Sequence, residues 1–154
     1  MTRLINTAFA YMILGLVSGV FYREYTKLTD NLTTESPLST VHTHLLALGM
    51  LMFLIVAALD GLLTLRGRRS FEIFYWTYNV GLIWTVAMMM VRGLFTLNGH
   101  DPATTSAAIP GMAGLGHVIL TIGLVFLFIA LRAGAKERAA ATQTASANHD
   151  PKAV

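Results

Sequence analysis

The stretch Val41-His42-Thr43-His44-Leu45-Leu46-Ala47-Leu48-Gly49-Met50-Leu51-Met52-Phe53-Leu54-Ile55-Val56-Ala57-Ala58-Leu59-Asp60-Gly61-Leu62-Leu63-Thr64-Leu65 decides the fold. Asp60 is its only carboxylate. Its length exceeds the ~20 apolar residues that a helix needs to cross a ~30 Å hydrocarbon core at ~1.5 Å per residue. Three further apolar stretches flank it, at 5–22, 71–95 and 111–131. Backbone groups in lipid must be paired within the segment, so all four are expected to be helices. The short alternating segments of a membrane barrel are absent from the sequence. The expected fold is therefore an all-α integral membrane bundle of four transmembrane helices, occupying residues 1–132. The tail, 133–154, is rich in Ala, Thr, Gln, Ser and Asn, a composition expected to be disordered.

Composition agrees with that reading. Of 154 residues, 55% are hydrophobic and only 12% charged, about half the charged share of an ordinary soluble domain. The Met1-Thr2-Arg3 start before an apolar run resembles a signal peptide. No small-residue cleavage site follows, and the run ends at Phe21-Tyr22-Arg23-Glu24-Tyr25, which marks an uncleaved first helix. The net charge of +3 is explained without nucleic acid, because basic residues collect on the cytoplasmic side of membrane proteins. Arg3, Arg66, Arg68, Arg69, Arg132, Lys136, Arg138 and Lys152 fall on one side; Arg23, Lys27 and Arg92 fall on the other. Both termini are thus expected in the cytoplasm, in a multi-pass protein of the inner (plasma) membrane. The absence of cysteine excludes disulfides and thiolate chemistry.

Four of the five histidines, His42, His44, His100 and His117, lie on the outer side; His149 is in the tail. On a regular helix His42 and His44 point about 200° apart, so each serves a different neighbour. His44 and His117 sit about 5 Å and 9 Å below the outer boundary at ~1.5 Å per residue. Three imidazoles at matching depth, beside small residues such as Ala47, Gly49, Ala113, Gly114 and Gly116, point to a ligand role, since ionisable groups inside membranes are usually functional. Haem b is the most economical cofactor, because it needs only one or two histidines and an apolar slot. Arg92 and Arg23, at the outer ends of helices three and one, are the candidate partners for its propionates. Asp60, near Arg66 and Arg68, reads as a salt-bridged end residue or as a proton entry. Gly15 and Gly19 form a GxxxG that lets a neighbouring helix approach. Asn31-Leu32-Thr33 fits a glycosylation sequon but carries no weight without a secretory context.

His42-Thr43-His44 followed by Leu-Leu-Ala-Leu-Gly49 resembles the His-x-His helix of the haem–copper oxidase and nitric oxide reductase catalytic subunit. The chain also resembles short four-helix bacterial membrane proteins carrying this element. In those large subunits twelve helices form three pseudo-symmetric sets of four, and the two histidines ligate different haems. The resemblance implies a homotrimer, with His42 of one chain and His44 of the next clamping a haem at their interface. The intrachain pair His44 and His117 is the competing plan, and a dimer stays open. The chain lacks the copper-site histidines with their linked tyrosine, so reduction of oxygen or nitric oxide is not expected. The function expected is electron transfer, or sensing of haem or a gas, with a quinone or another redox partner besides the bilayer. No catalytic set is identified and no substrate is named. The alternatives are a non-haem accessory or transport module holding copper or another metal, and a structural subunit of a larger complex.

Overall fold

Helix α1 spans Thr2–Leu28 and presents Leu4, Ala8, Tyr11 and Gly15 to the interior. The computed structural model describes residues 1–30, 35–99 and 108–147. His100, His149 and the Asn31-Leu32-Thr33 sequon lie outside the described residues. Helix α2 spans Pro37–Leu63, α3 spans Arg69–Leu97 and α4 spans Ala108–Ala147. All four are long and apolar enough to cross a membrane. Leu16, Val17, Val20, Trp76, Ile83 and Phe128 are each more than half exposed. An outer surface this apolar suits lipid rather than water.

Local chemistry sets the ends of α2. The Ser36 hydroxyl accepts from Leu38 N at 3.3 Å and donates to the Gly93 carbonyl at 2.9 Å. Pro37 follows at the first helical position, where its missing N–H costs nothing. The helix therefore begins before the expected Val41. At the other end Thr64 takes a left-handed φ of 48°. Asp60 Oδ1 accepts from the backbone N–H of Leu65 and of Arg66, each at 3.0 Å. Its other oxygen pairs with Arg66 Nε. Asp60 is thus the clamp of a helix end, in accord with its reading as a salt-bridged residue.

The interior is built around Phe53, which is wholly buried. The rings of Tyr11, Phe74, Tyr75 and Tyr78 surround it at centroid distances of 5.8–6.2 Å. Helices α3 and α4 pack backbone to backbone through glycine. A Cβ at Gly81 would stand 2.8 Å from Leu120 N, and one at Gly123 would stand 3.1 Å from Tyr78. Helices α1 and α3 are instead joined by polar side chains that act as rungs. From the N-terminal ends of the two helices these are Arg3 with Glu72 (2.8 and 3.0 Å), Thr7 with Tyr75 (2.7 Å), Tyr11 with Asn79 (2.8 Å) and Tyr25 with Asn98 (3.2 Å).

Two expectations need correction. The segment from 133 is not a disordered tail through its described part: α4 continues to Ala147. Alanine, the strongest helix former, dominates it. Its first turns are also tied to the bundle by Arg68 to Glu137 and by Arg138 Nη1 to the Leu62 carbonyl at 2.6 Å. Nor is α2 regular. After a 3₁₀ turn, Pro37–Thr40, and one α-turn, Val41–His44, the residues Leu45–Leu51 form a π-helix before α-geometry resumes at Met52.

Candidate functional site

The π-helical stretch starts at the residue after His44. Stretches with i→i+5 pairing are rare and often mark functional positions, because they widen the helix and re-aim side chains. Three contacts brace this one. Gly49 lies under the Tyr11 ring, where a Cβ would come within 2.5 Å of Cγ. Gly15 receives Leu46, a Cβ there standing 2.8 Å from that side chain. The Tyr78 hydroxyl donates to the Leu48 carbonyl at 3.0 Å. Widening a helix disturbs its own pairing, and a side-chain donor from α3 stabilises the carbonyl concerned.

His44 is half-buried, and its Nδ1 is 2.9 Å from the Thr40 carbonyl. A carbonyl can only accept, so in the neutral imidazole Nδ1 carries the proton and Nε2 is the free ligand atom. Ligating histidines commonly have this arrangement, in which a backbone carbonyl fixes the tautomer and orients the ring. His42 is also half-buried and packs on α1: a Cβ at Gly19 would be 3.6 Å from His42 Cβ. Its Nδ1 is buried with no hydrogen-bond partner among the described residues. The GxxxG of α1 is therefore a real contact, with Gly15 receiving the π-helix and Gly19 the His42 side chain.

His117 is exposed on α4. In this half of the bundle α4 lies along α3, with Gly116 against Thr85. Contacts of α4 with the α2 end occur at the opposite side of the bundle, where Gly134 meets Leu63 and Arg138 meets Leu62. The glycines read as clearance for a flat cofactor divide in two. Gly49 and Gly116 are filled by Tyr11 and Thr85, whereas Gly114 has nothing within 4 Å among the described residues.

Arg92 and Arg23 are exposed at the expected ends of α3 and α1. Arg23 Nε is 3.7 Å from Glu24, which Lys27 also approaches at 3.5 Å. Arg92 forms no ion pair among the described residues. A Cβ on the adjacent Gly93 would be 2.6 Å from Leu38 N. This contact sets Arg92 level with the start of α2, about 6 Å from His42 along the axis at four residues' rise. Among the described residues no three His, Asp or Glu side chains gather into a metal site. Sequence reasoning overlooked Thr40, whose spacing of four residues before His44 was legible. It also overlooked the bracing roles of Tyr11 and Tyr78, for which the sequence holds no local signal.

Four spanning helices, one of them π-helical beside two histidines, define a small helical protein suited to a membrane. The chain belongs to the family described as "Protein of unknown function (DUF2871)", whose model matches residues 1–134. No curated protein and no solved structure matches it.

Proposed function

We propose that the chain is a haem b-binding integral membrane protein working in electron transfer or in sensing haem or a gas. Its bundle is the counterpart of one four-helix unit of the haem–copper oxidase catalytic subunit. The observation that carries this reading is His44: its Nδ1–H is fixed on the Thr40 carbonyl, so Nε2 is left as a ligand atom at the head of a π-helix. The donor set fits the group. His42 adds a second imidazole whose Nδ1 has no partner among the described residues, and imidazole is a common axial ligand of haem iron. Bound there, haem would supply one-electron redox chemistry or a site for a diatomic ligand. The residues of the chain do the rest. Thr40 orients His44, Gly19 gives His42 room against α1, and Arg92 and Arg23 offer guanidinium donors to the propionates.

Two ligands two residues apart on one α-turn point to different neighbours, so a cyclic homotrimer with head-to-tail contacts is the assembly that suits them. His42 of one chain and His44 of the next then hold one haem. The intrachain plan with His117 has less support, since the packing of α4 follows α3 in that half. The cluster of basic residues at one end of the bundle supports a reading in which both termini are cytoplasmic and the bundle lies in the plasma membrane of a bacterium.

The test is an optical spectrum of protein made with ample haem, with and without dithionite. A sharp, split α/β pair on reduction supports two histidine ligands. Absence of a Soret band overturns the proposal. Metal analysis of the same sample would reveal copper or another metal, and co-purifying subunits without cofactor would favour a structural role.

A further inference from the structure

Between the rung Tyr11–Asn79 and the rung Tyr25–Asn98 no polar side chain bridges α1 and α3 among the described residues. The gap is an apolar opening of about 450 Å³, lined by Leu14, Val17 and Phe21 of α1 and by Ile83, Val86 and Met90 of α3. Leu45, the first residue of the π-helix, forms part of its wall. Towards the inner end it continues into a second hollow of about 450 Å³ with Tyr11, Leu14 and Ile83 in common. That hollow carries Asn6, Thr7, Tyr75 and Asn79, and at its far end Arg3, which is paired with Glu72. The groove is thus a single slot, polar at one end and apolar at the other, open to the side where lipid lies.

Depth decides what chemistry it takes. Tyr11 and Asn79 lie nine and ten residues into their helices, about 14–15 Å along the axis at ~1.5 Å per residue. That is near the middle of a ~30 Å core. A charged phospholipid headgroup is costly at that depth. An uncharged ring with carbonyl acceptors is not, and Asn79 supplies a donor. One of its amide N–H groups donates to the Tyr75 carbonyl at 2.6 Å, and the other has no acceptor among the described residues. The tail of such a molecule would run outward between the apolar side chains and past Leu45. We infer that this slot binds an isoprenoid quinone, with the ring beside Asn79 and Tyr11 and the tail between Phe21 and Met90. The inference concerns binding alone and holds whether or not haem is present. If the haem proposal is right, the quinone would lie within about two helical turns of His44, since Asn79 neighbours Tyr78 and Tyr78 bonds to Leu48.

The full chain, purified in mild detergent and stripped of lipid, would be titrated with decyl-benzoquinone while its tryptophan fluorescence is followed. Trp84 lies next to Ile83 in the sequence. Saturable quenching is expected. It should weaken at least tenfold in Ala87→Phe and in Val17→Phe, two substitutions at exposed positions that fill the opening. Asn79→Leu should weaken it as well. Solvent extracts of protein taken directly from membranes should contain quinone above a mock preparation, and less in both filled variants. Linear quenching without saturation means partition into detergent and overturns the site. Unchanged saturation in both filled variants, or displacement of the quinone by phospholipid, overturns it equally. Haem spectra recorded on the same samples report on His44 separately, so either proposal can fail alone.

Discussion

A Cβ placed on Gly93 would stand 2.6 Å from the backbone nitrogen of Leu38, and one on Gly49 would stand 2.5 Å from the Tyr11 ring. Neither neighbour can yield cheaply. The first is backbone; the second is a ring stacked on Phe53 at 5.8 Å and hydrogen-bonded to Asn79. Overpacking of this kind costs ~1–3 kcal/mol. Gly93→Ala and Gly49→Ala should each lower the melting temperature in detergent, whereas Gly114→Ala, with nothing within 4 Å among the described residues, should leave it unchanged. An unaltered melting point for Gly93→Ala would contradict the described contact between the α2 start and α3. These glycines show what a sequence discloses at this scale. Gly15 and Gly19 were legible because four-residue spacing has a known packing meaning. Gly49 and Gly116 were noticed, but for the wrong purpose. Their emptiness in sequence is the same whether a cofactor or a neighbouring ring fills the space.

At the scale of the element, the π-helix is the feature that the sequence hides. Leu45-Leu46-Ala47-Leu48-Gly49-Met50-Leu51 would suit a regular α-helix equally well. The deciding groups come from elsewhere: Tyr11 over Gly49, Leu46 in the hollow of Gly15, and the Tyr78 hydroxyl on the Leu48 carbonyl. Tyr78→Phe removes that donor and keeps the ring packing with Phe53 and Phe74. The loss should be ~1–2 kcal/mol, the order expected for one buried hydrogen bond. If His44 is aimed by the π-helix, the same variant should also shift the haem spectrum, which a loss of stability alone would not do. Thr40 is different in kind, because it acts through its carbonyl; Thr40→Ala is expected to keep the His44 contact and leave the spectrum intact. The α2 ends were half legible. Ser36-Pro37 is a readable start that lies before the apolar run, and Asp60 was readable as a salt-bridged end although its two backbone bonds were not.

At the scale of the whole molecule, hydropathy and the distribution of basic residues were enough to find four helices, since the bilayer sets their length. Neighbour order was not legible, because helices apolar on every side carry no stripe that points to a partner. It is the side-chain rungs between α1 and α3, and the glycine contacts between α3 and α4, that arrange the bundle. That arrangement bears directly on the assembly. His42 faces α1 of its own chain at Gly19, and His44 stands two residues on, while α4 with His117 lies along α3. If a haem is held between neighbouring chains, each site takes one histidine from each of two copies of the 16.8 kDa chain. His42→Ala and His44→Ala made separately should then both lose the two-histidine spectrum. Co-expressed in equal amounts, they should regain it in part. An interface formed by the intact His42 of one variant and the intact His44 of the other is complete, and random assembly of a ring gives roughly one quarter of interfaces that composition. Mass measurement in detergent should show the trimer in every case. With the intrachain site of His44 and His117, His42→Ala keeps the two-histidine spectrum on its own, His44→Ala loses it, and the equal mixture shows about half of it. Loss in both single variants, followed by recovery of about a quarter of the split α-band absorbance on mixing, therefore separates the two plans without a need for structural data on the complex.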